Sequence, residues 1–406
     1  MCVARETIDN RILFGIVPYE KVHEEHTLQT FYRVLVWSFR ALVEGTFPTH
    51  DHDGVPFSRT HHPDRFKWAG NPLTSEGYIG CFSEFRADWK YLVEAFGLHA
   101  NWAATEVCHL CRASKHISRL LWTNHARDAW VRNTCYTHQQ IMMWGANDPN
   151  RSPLWDLPGL HVWRLWADAL HVLDLGILEQ IIGSAVWEMT TDRTYFWGSS
   201  RCVRIYQLYR HYKKYCRDNG MQYSKRFEPH WFKQIGNPYP EVRTNHLKGA
   251  LVRGLLYYMN YLCSLHQSTP HDVIRLTLFA GLVGMDVIMR KHKRFLGDSD
   301  WKVMCECCES ALLAHNALSL EAAALILFLW KQIPKFHLLT HMIYDMAREA
   351  NPRRVQAYND ENMIGKIKPL VQRCHPFNAD HRVLTRYLCL VGIRWYLQLE
   401  DLRGLG

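Results

Sequence analysis

The sequence predicts an α/β protein that is mostly helical. The stretch from Tyr78 to Phe85 is short, aromatic and bordered by glycine, which favours a buried strand. From Trp89 to Leu98 the apolar residues follow helical spacing, so a helix is expected directly after that strand. Apolar residues also recur at helical spacing through most of 201–330. This long helical block separates two portions of α/β character.

The length of the chain indicates more than one folding unit. At 406 residues it exceeds what a single hydrophobic core usually serves. We expect three segments: 1–200 is the first part of an α/β core with a Cys-x-x-Cys pair, 201–333 is a helical basic insertion, and 334–406 closes the core.

Composition excludes several classes of protein. A hydrophobic content of 48% and an aromatic content of 13% exclude a disordered chain. The polar start is not typical of a signal peptide, and the longest apolar run, 322–330, is shorter than the roughly 20 residues of a membrane span. The 13 cysteines are an odd number without a secretion signal, which favours reduced thiols. We therefore expect an intracellular protein, nuclear or cytoplasmic, without a membrane segment.

The positive charge is concentrated in one part of the chain. The segment 201–253 contains twelve Lys or Arg and three acidic residues, so it accounts for the whole formal net charge of +9. Within the predicted helix 201–216, a cationic stripe at i, i+3, i+4 and i+7 is formed by Arg210, Lys213, Lys214 and Arg217. Such a stripe is often only a solvated face, but the few acidic neighbours favour a polyanionic partner.

Asp88 is the first candidate site residue, because it follows the predicted strand. Side chains at strand ends leave the core and face a crevice, where open α/β sheets tend to place their chemistry. The alternative is that Asp88 only caps the following helix. A thiol pair, Cys108 and Cys111, follows at metal-ligand spacing.

Three further positions carry candidate side chains. His171 lies on an apolar helical line and is either a site residue or a core histidine bonded to Asp168 or Asp174. His337 and His341 share a helix face at the spacing of a zinc protease, but Leu338 stands where the general-base glutamate should be. Glu361 lies in the first turn of a predicted helix, where the helix dipole alone favours an acid.

These residues form an ordered set of short blocks over roughly 60 to 370. In chain order the blocks are Ala87-Asp88-Trp-Lys, Phe96-Gly97-Leu98, Cys108-x-x-Cys111, Asp168-Ala-Leu-His171-x-x-x-Leu175-Gly176, Pro334-Lys-x-His337-x-x-x-His341 and Glu361. The set resembles the CACTA and Kyakuja/Dileera/Zisupton group of cut-and-paste DNA transposases. The resemblance implies an RNase H-like catalytic core of the DDE type, interrupted by a large all-α insertion.

The resemblance also implies roles for the residues. Three carboxylates would hold two divalent cations, Mg²⁺ or Mn²⁺, on the scissile phosphate. Asp88 would be the second carboxylate and Glu361 the third. The thiol pair, with His171 near it, would form a structural site that could take Zn²⁺. The insertion, through its cationic stripe, would hold DNA, and a homo-oligomer is compatible with this function.

The sequence departs from the family pattern at the first carboxylate. No convincing strand with an aspartate at its end precedes Asp88, and Asp9 is the only early candidate. Ala87 also stands where related sequences often have glycine. We therefore expect an N-terminally shortened copy of such an enzyme.

Two alternatives stay open at this point. The first is a catalytically inactive, transposon-derived protein that binds nucleic acid or another partner on the same fold. The second is a helical protein with a structural zinc site at Cys108 and Cys111, which requires two further ligands within about 4 Å of the thiols. The transposase hypothesis instead requires the carboxyl groups of Asp88 and Glu361 to approach within roughly 4 to 7 Å of each other.

Overall fold

The computed structural model describes residues 13–17, 19–23, 26–116, 121–125, 134–232, 236–243, 246–375 and 378–403. Within these ranges the chain is mostly helical, as predicted, and its two strands pair in one small sheet. Asp9, the early carboxylate candidate, lies outside the described residues. The elements are α1 (Thr27–Glu44), α2 (Pro63–Trp68), β1 (Phe85–Ala87), α3 (Trp89–Phe96), α4 (His138–Met143), β2 (Leu165–Ala167), α5 (Leu178–Thr191), α6 (Arg201–Asp218), α7 (Gly249–Ser264), α8 (Pro270–Lys291), α9 (Asp298–Ala324), α10 (Lys335–His341), α11 (Ala347–Glu349), α12 (Tyr358–Gln372) and α13 (Ala379–Arg403).

The chain divides into two compact units. The first unit comprises 1–82, 152–159 and 357–406 and contains α1, α2, α12 and α13. In it, Met363 and Ile367 of α12 pack against Val383, Tyr387 and Val391 of α13. This cluster gives the two C-terminal helices a small apolar core of their own.

The second unit comprises 83–151 and 160–356 and holds the main hydrophobic core. Helices α8 and α9 pack closely along their length, and Gly281 permits this approach: a Cβ there would lie 2.5 Å from the carbonyl oxygen of Cys307. The helices of the predicted insertion, α6 to α9, belong to this same unit. The segment 201–333 is therefore packed into the core of the second unit together with the residues before and after it.

The two strands belong to the second unit, and β1 shares only Phe85 with the predicted buried strand 78–85, of which Tyr78 and Ile79 are exposed. Strand β1 pairs in parallel with β2, and Ala87 is the register partner of Ala167. All three residues of β2 are buried. The periodicity of apolar residues in the sequence predicts one strong element from Trp163 to Met189. The structure instead forms β2, then a π-helical segment (Leu170–Ile177), and only then α5. A three-residue strand is too short to interrupt a helical pattern visibly.

The most apolar long segment is internal to the second unit. Leu170–Thr191 is long and apolar enough to cross a membrane, yet 78% of its most apolar window is buried within the protein. Such burial is typical of a core helix. It agrees with the expectation that the chain has no membrane segment.

Candidate metal centre and strand-end site

Cys108 and Cys111 lie in a tight, irregular turn of the second unit. The backbone N–H of Val107 donates to the carbonyl of Ala113 at 3.0 Å and closes the turn. Inside it, the N–H of Leu110 donates to the Sγ of Cys108 at 3.3 Å. Both thiols are buried and point to the same side. The turn is therefore shaped to present two sulfur atoms together.

Helix α10 brings two imidazoles to these thiols. His337 and His341 are one helical turn apart and both are buried. The Nε2 of His337 lies 3.2 Å from the Sγ of Cys111, and the Nε2 of His341 lies 3.4 Å from the same sulfur. One ligand atom from each of the four residues, including Cys108, lies within 4.8 Å of the others. This buried Cys₂His₂ cluster could bind a metal ion such as zinc.

The spacing of the cluster fits a tetrahedral ion. Zn–S bonds of about 2.3 Å and Zn–N bonds of about 2.0 Å place neighbouring ligand atoms roughly 3.3 to 3.8 Å apart. Of the contacts between the imidazoles and Cys111, the one of 3.4 Å lies inside that range and the one of 3.2 Å lies about 0.1 Å below it. The cluster is closed by its burial, and four protein ligands are typical of structural rather than catalytic zinc.

The charges of the cluster are matched to one another. Burial alone would raise the pKa of Cys108, but the hydrogen bond from Cys111 and the charge of His341 hold that pKa well below its usual value. Burial would also lower the pKa of His341, yet the Cys108 thiolate and a hydrogen bond to Asp345 hold it well above its usual value. The site therefore favours the thiolate, the form of cysteine that binds metal, at Cys108. The hydrogen bond with Cys108 and burial instead raise the pKa of Cys111.

Asp345 supports the cluster from outside. Its Oδ2 lies 2.7 Å from the Nδ1 of His341, which leaves the Nε2 of that ring facing the thiols. A carboxylate on the distal nitrogen of a ligating histidine is the usual second partner at zinc sites. The corresponding Nδ1 of His337 is buried and has no hydrogen-bond partner among the described residues. The two histidines are thus held unequally.

The parallel pairing of β1 and β2 places two aspartates side by side. The N–H of Asp168 donates to the carbonyl of Ala87 at 3.1 Å, so Asp88 and Asp168 are the next residues of adjoining strands. Asp88 occupies the N-cap position of α3, but its side chain makes no capping hydrogen bond. The alternative that Asp88 only caps a helix is therefore not what the structure shows.

Asp168 is buried and fixed by His171. Its Oδ2 accepts the backbone N–H of His171 at 3.1 Å and lies 2.7 Å from the Nδ1 of that ring. The interpretation of His171 as a histidine bonded to Asp168 is thus confirmed. His171 is not one of the four residues of the Cys₂His₂ cluster, so its predicted place beside the thiols is taken by His337 and His341.

A cavity of about 800 Å³ opens beside Asp88. Lys335, the first residue of α10, lines it and donates to the carbonyl of Leu175 at 3.1 Å. Burial lowers the pKa of Lys335, while the charges of Asp88, Glu179 and Asp168 oppose that shift. The other side chains that line the cavity include a second carboxylate, three tryptophans and three further lysines: Glu179, Trp89, Trp102, Trp122, Lys90, Lys115 and Lys331.

Two features of the sequence shape this cavity. Gly176 leaves room for Lys335, because a Cβ at that position would lie 2.6 Å from the Cδ of the lysine. Leu175 has non-helical backbone angles within the π-helical segment, and its carbonyl is the acceptor that Lys335 uses. Burial raises the pKa of Glu179 to about 7, although the charge of Lys335 opposes this shift. The cavity therefore combines a half-buried cation with carboxylates.

Glu361 lies in the first turn of α12 and is exposed. It belongs to the first unit, whereas Asp88 belongs to the second. The meeting of their carboxyl groups therefore stays a prediction.

The cationic stripe lies on α6 as expected. Helical spacing in the sequence predicts five inner positions on α6, and all are buried in the structure: Ile205, Leu208, Tyr209, Tyr212 and Cys216. On the outer face Arg210, Lys214 and Arg217 are exposed and Lys213 is half-buried. Lys214 is paired with Asp218 at 2.6 Å. Of the twelve cations counted between 201 and 253, Arg204 and Arg253 are buried and hydrogen-bonded internally.

Sequence reasoning missed two associations. It noted the i, i+4 histidines of α10 but rejected them as a protease motif, and it did not join them to the Cys-x-x-Cys pair. It also looked upstream of Asp88 for a second strand-end carboxylate, whereas Asp168 lies downstream. The signal for Asp168 was the short apolar run Leu165–Ala167 directly before it.

No protein-family model, curated protein or solved structure matches the chain.

Proposed function

We propose that the second unit is the catalytic core of a DNA-cleaving protein of the transposase type. In this proposal the Cys₂His₂ cluster holds a structural zinc ion, and Asp88 and Asp168 are ligands of a divalent cation, Mg²⁺ or Mn²⁺. The observation that carries the proposal is the parallel pairing of β1 and β2, which brings Asp88 and Asp168 to neighbouring strand ends. Carboxylate oxygens are the hard ligands that these ions prefer.

The order of the carboxylates follows from that pairing. Asp88 becomes the first carboxylate and Asp168 the second. The carboxylate that the sequence does not offer before Asp88 is then supplied after it. The core would be RNase H-like in the sense that neighbouring parallel strands each end in a metal-binding aspartate.

The protein side chains have distinct tasks in this scheme. His171 holds the carboxylate of Asp168 in one orientation through its ring and its backbone N–H. Asp88 keeps its oxygens free of the helix N-terminus that follows it. When bound, divalent cations would activate the attacking oxygen and stabilise the leaving oxygen of the phosphodiester. Lys335 supplies a fixed positive charge to the same cavity.

The proposed zinc ion would act through α10. This helix begins with Lys335 in the strand-end cavity and carries His337 and His341 two and six residues later. A metal that fixes the histidines therefore fixes the wall of the cavity as well. The zinc would brace the site without taking part in the reaction.

A second function is favoured by one observation. The half-buried ammonium of Lys335 already faces the charges of Asp88 and Asp168. It could neutralise them without a metal ion. The chain would then be a catalytically inactive, transposon-derived protein that binds DNA through α6.

Cleavage of supercoiled plasmid in Mg²⁺ or Mn²⁺ tests the proposal. We expect the wild-type chain to nick the plasmid. Asp88→Asn and Asp168→Asn should each lower the rate by roughly 100-fold or more, because a catalytic metal contributes several kcal/mol. Asp298→Asn, an exposed acid at the start of α9, is the matched control and should keep the wild-type rate.

The outcomes separate the two functions. Nicking that survives both aspartate substitutions contradicts the site assignment. A wild-type chain that binds DNA but does not nick it supports the inactive protein. Glu361→Gln tests separately the role that the family resemblance implies for Glu361, and unchanged nicking in this variant would contradict that role.

A further inference from the structure

We propose that the outer face of α6 binds an unpaired DNA strand, with Trp197 as a stacking platform for its bases. This inference deepens the proposed function and rests on DNA being the partner. It begins from a groove of about 870 Å³ in the second unit. The groove is lined by all four cations of the stripe together with the aromatic residues Tyr195, Phe196, Trp197, Tyr206 and Tyr209.

The cations of the groove are poorly compensated. Asp218 pairs with Lys214 and, among the described residues, is the one acidic side chain that lines the groove. Lys213 and Arg217 instead lie over the ring of Tyr223, at 5.2 and 5.8 Å from its centroid. An aromatic ring orders a cation without cancelling its charge. The groove therefore keeps most of its positive charge for a polyanion.

The spacing of the cations fits a nucleic-acid backbone. Seven residues separate Arg210 from Arg217, which corresponds to about 10.5 Å along a helix. A DNA strand carries one phosphate per roughly 3.4 Å of helix axis and fewer when extended. The stripe therefore spans about two to three phosphates.

Trp197 indicates that the strand is unpaired. Its side chain is 74% exposed although it lies beside a groove, which is unusual for the largest apolar side chain. A duplex buries the faces of its bases and offers an indole only sugar and phosphate. A single strand offers π-faces, and stacking on an aromatic side chain is a main source of affinity for such strands. Tyr206 provides a second aromatic ring for stacking, and the guanidinium of Arg226, 4.4 Å from the centroid of that ring, adds a positive charge beside it.

The test is fluorescence anisotropy of the full chain with a labelled oligothymidine and with a duplex of the same length. We expect Trp197→Ala to weaken single-strand binding by roughly 5- to 150-fold and duplex binding by less than about 2-fold. Trp197→Phe should restore most of the single-strand affinity. Trp68→Ala removes an exposed tryptophan from the first unit and should change neither affinity.

Salt dependence tests the charges. For single strands the slope of log affinity against log salt should fall by about 0.7 in Arg210→Gln and in Arg217→Gln. Equal losses on duplex and single strand in Trp197→Ala, or no loss on either, would overturn the inference. A labelled oligouridine that binds more tightly than the oligothymidine would assign the groove to RNA and also overturn it. Loss of nicking in the Asp88 variant has no bearing on these affinities, so the two proposals can fail separately.

Discussion

Removing the carboxylate of Asp345 should weaken metal binding without unfolding the chain. The Oδ2 of Asp345 lies 2.7 Å from the Nδ1 of His341, and the other nitrogen of that ring faces Cys111 at 3.4 Å. The carboxylate therefore fixes both the tautomer and the orientation of the ligand. Asp345 is 34% exposed, so its truncation opens no buried cavity. Its effect should appear in zinc affinity.

The size of the effect follows from the type of contact. Loss of the outer partner of a ligating histidine costs about 10- to 100-fold in metal affinity, or about 1.4 to 2.7 kcal/mol. Asp345→Ala should therefore raise the Kd for zinc by about 10- to 100-fold. Asp345→Asn keeps an oxygen acceptor and should lose less. Competition with a chromogenic chelator at fixed pH measures both values.

Asp300→Ala is the matched control. Asp300 lies 2.7 Å from the Nε2 of His292 and is 26% exposed, so it has the same type of contact outside the metal cluster. Its loss should leave zinc affinity unchanged. Wild-type affinity in Asp345→Ala, or an equal loss in Asp300→Ala, would refute the role assigned to Asp345.

Two further predictions concern stability of the second unit. The hydrogen bond to Glu188 raises the pKa of His271 from 6.5 to about 9. The protonated His271 therefore stabilises the folded unit fully below pH 6.5, and this contribution is lost as the pH rises through 9. The pKa difference corresponds to about 3 kcal/mol, which solvent screening reduces to about 1 to 2 kcal/mol. In urea unfolding, His271→Gln should therefore make the free energy of unfolding less dependent on pH. Gly183→Ala would place a Cβ 2.5 Å from the Cα of Glu241 and should destabilise the unit by roughly 1 to 3 kcal/mol. In the same assay Gly254→Ala should stabilise α7 by up to about 1 kcal/mol, because its Cβ would have only an ordinary contact at 3.6 Å. If Gly183→Ala is at least as stable as Gly254→Ala, the close packing at Gly183 is contradicted.

Local patterns predicted the local structure well. The two faces of α6 were expected from spacing alone, and the structure buries the predicted apolar positions. The sequence of strand, Asp88 and helix was also expected, because an apolar aromatic run followed by helical periodicity has few other interpretations. The predicted buried strand 78–85 was wrong for most of its length: 78–84 forms no strand, Tyr78 and Ile79 are exposed, and only Phe85 belongs to β1. Burial along α6 was thus predicted correctly, whereas the burial and the position of the strand were not.

The site could not be assembled from local patterns. Cys111 and His337 are 226 positions apart, and neither the thiol pair nor the histidine pair indicates the other by spacing. His171 is closer to the thiols in sequence and was therefore the natural candidate, but its ring is bonded to Asp168. Asp168 was overlooked as a carboxylate because helical periodicity extends across β2. The metal cluster, the partner of His171 and the strand end at Asp168 all depend on contacts between segments that are distant in sequence. Helical periodicity carries no information about such contacts.

The metal content of the purified chain tests the central claim most directly. Elemental analysis of protein expressed and purified without added metal should find one zinc per chain, bound by two sulfur and two nitrogen atoms in X-ray absorption spectra. Cys108→Ser and His341→Ala should each lose that zinc. A folded wild-type chain that contains no zinc, or zinc retained in both variants, would contradict the assignment of this Cys₂His₂ cluster as the metal centre.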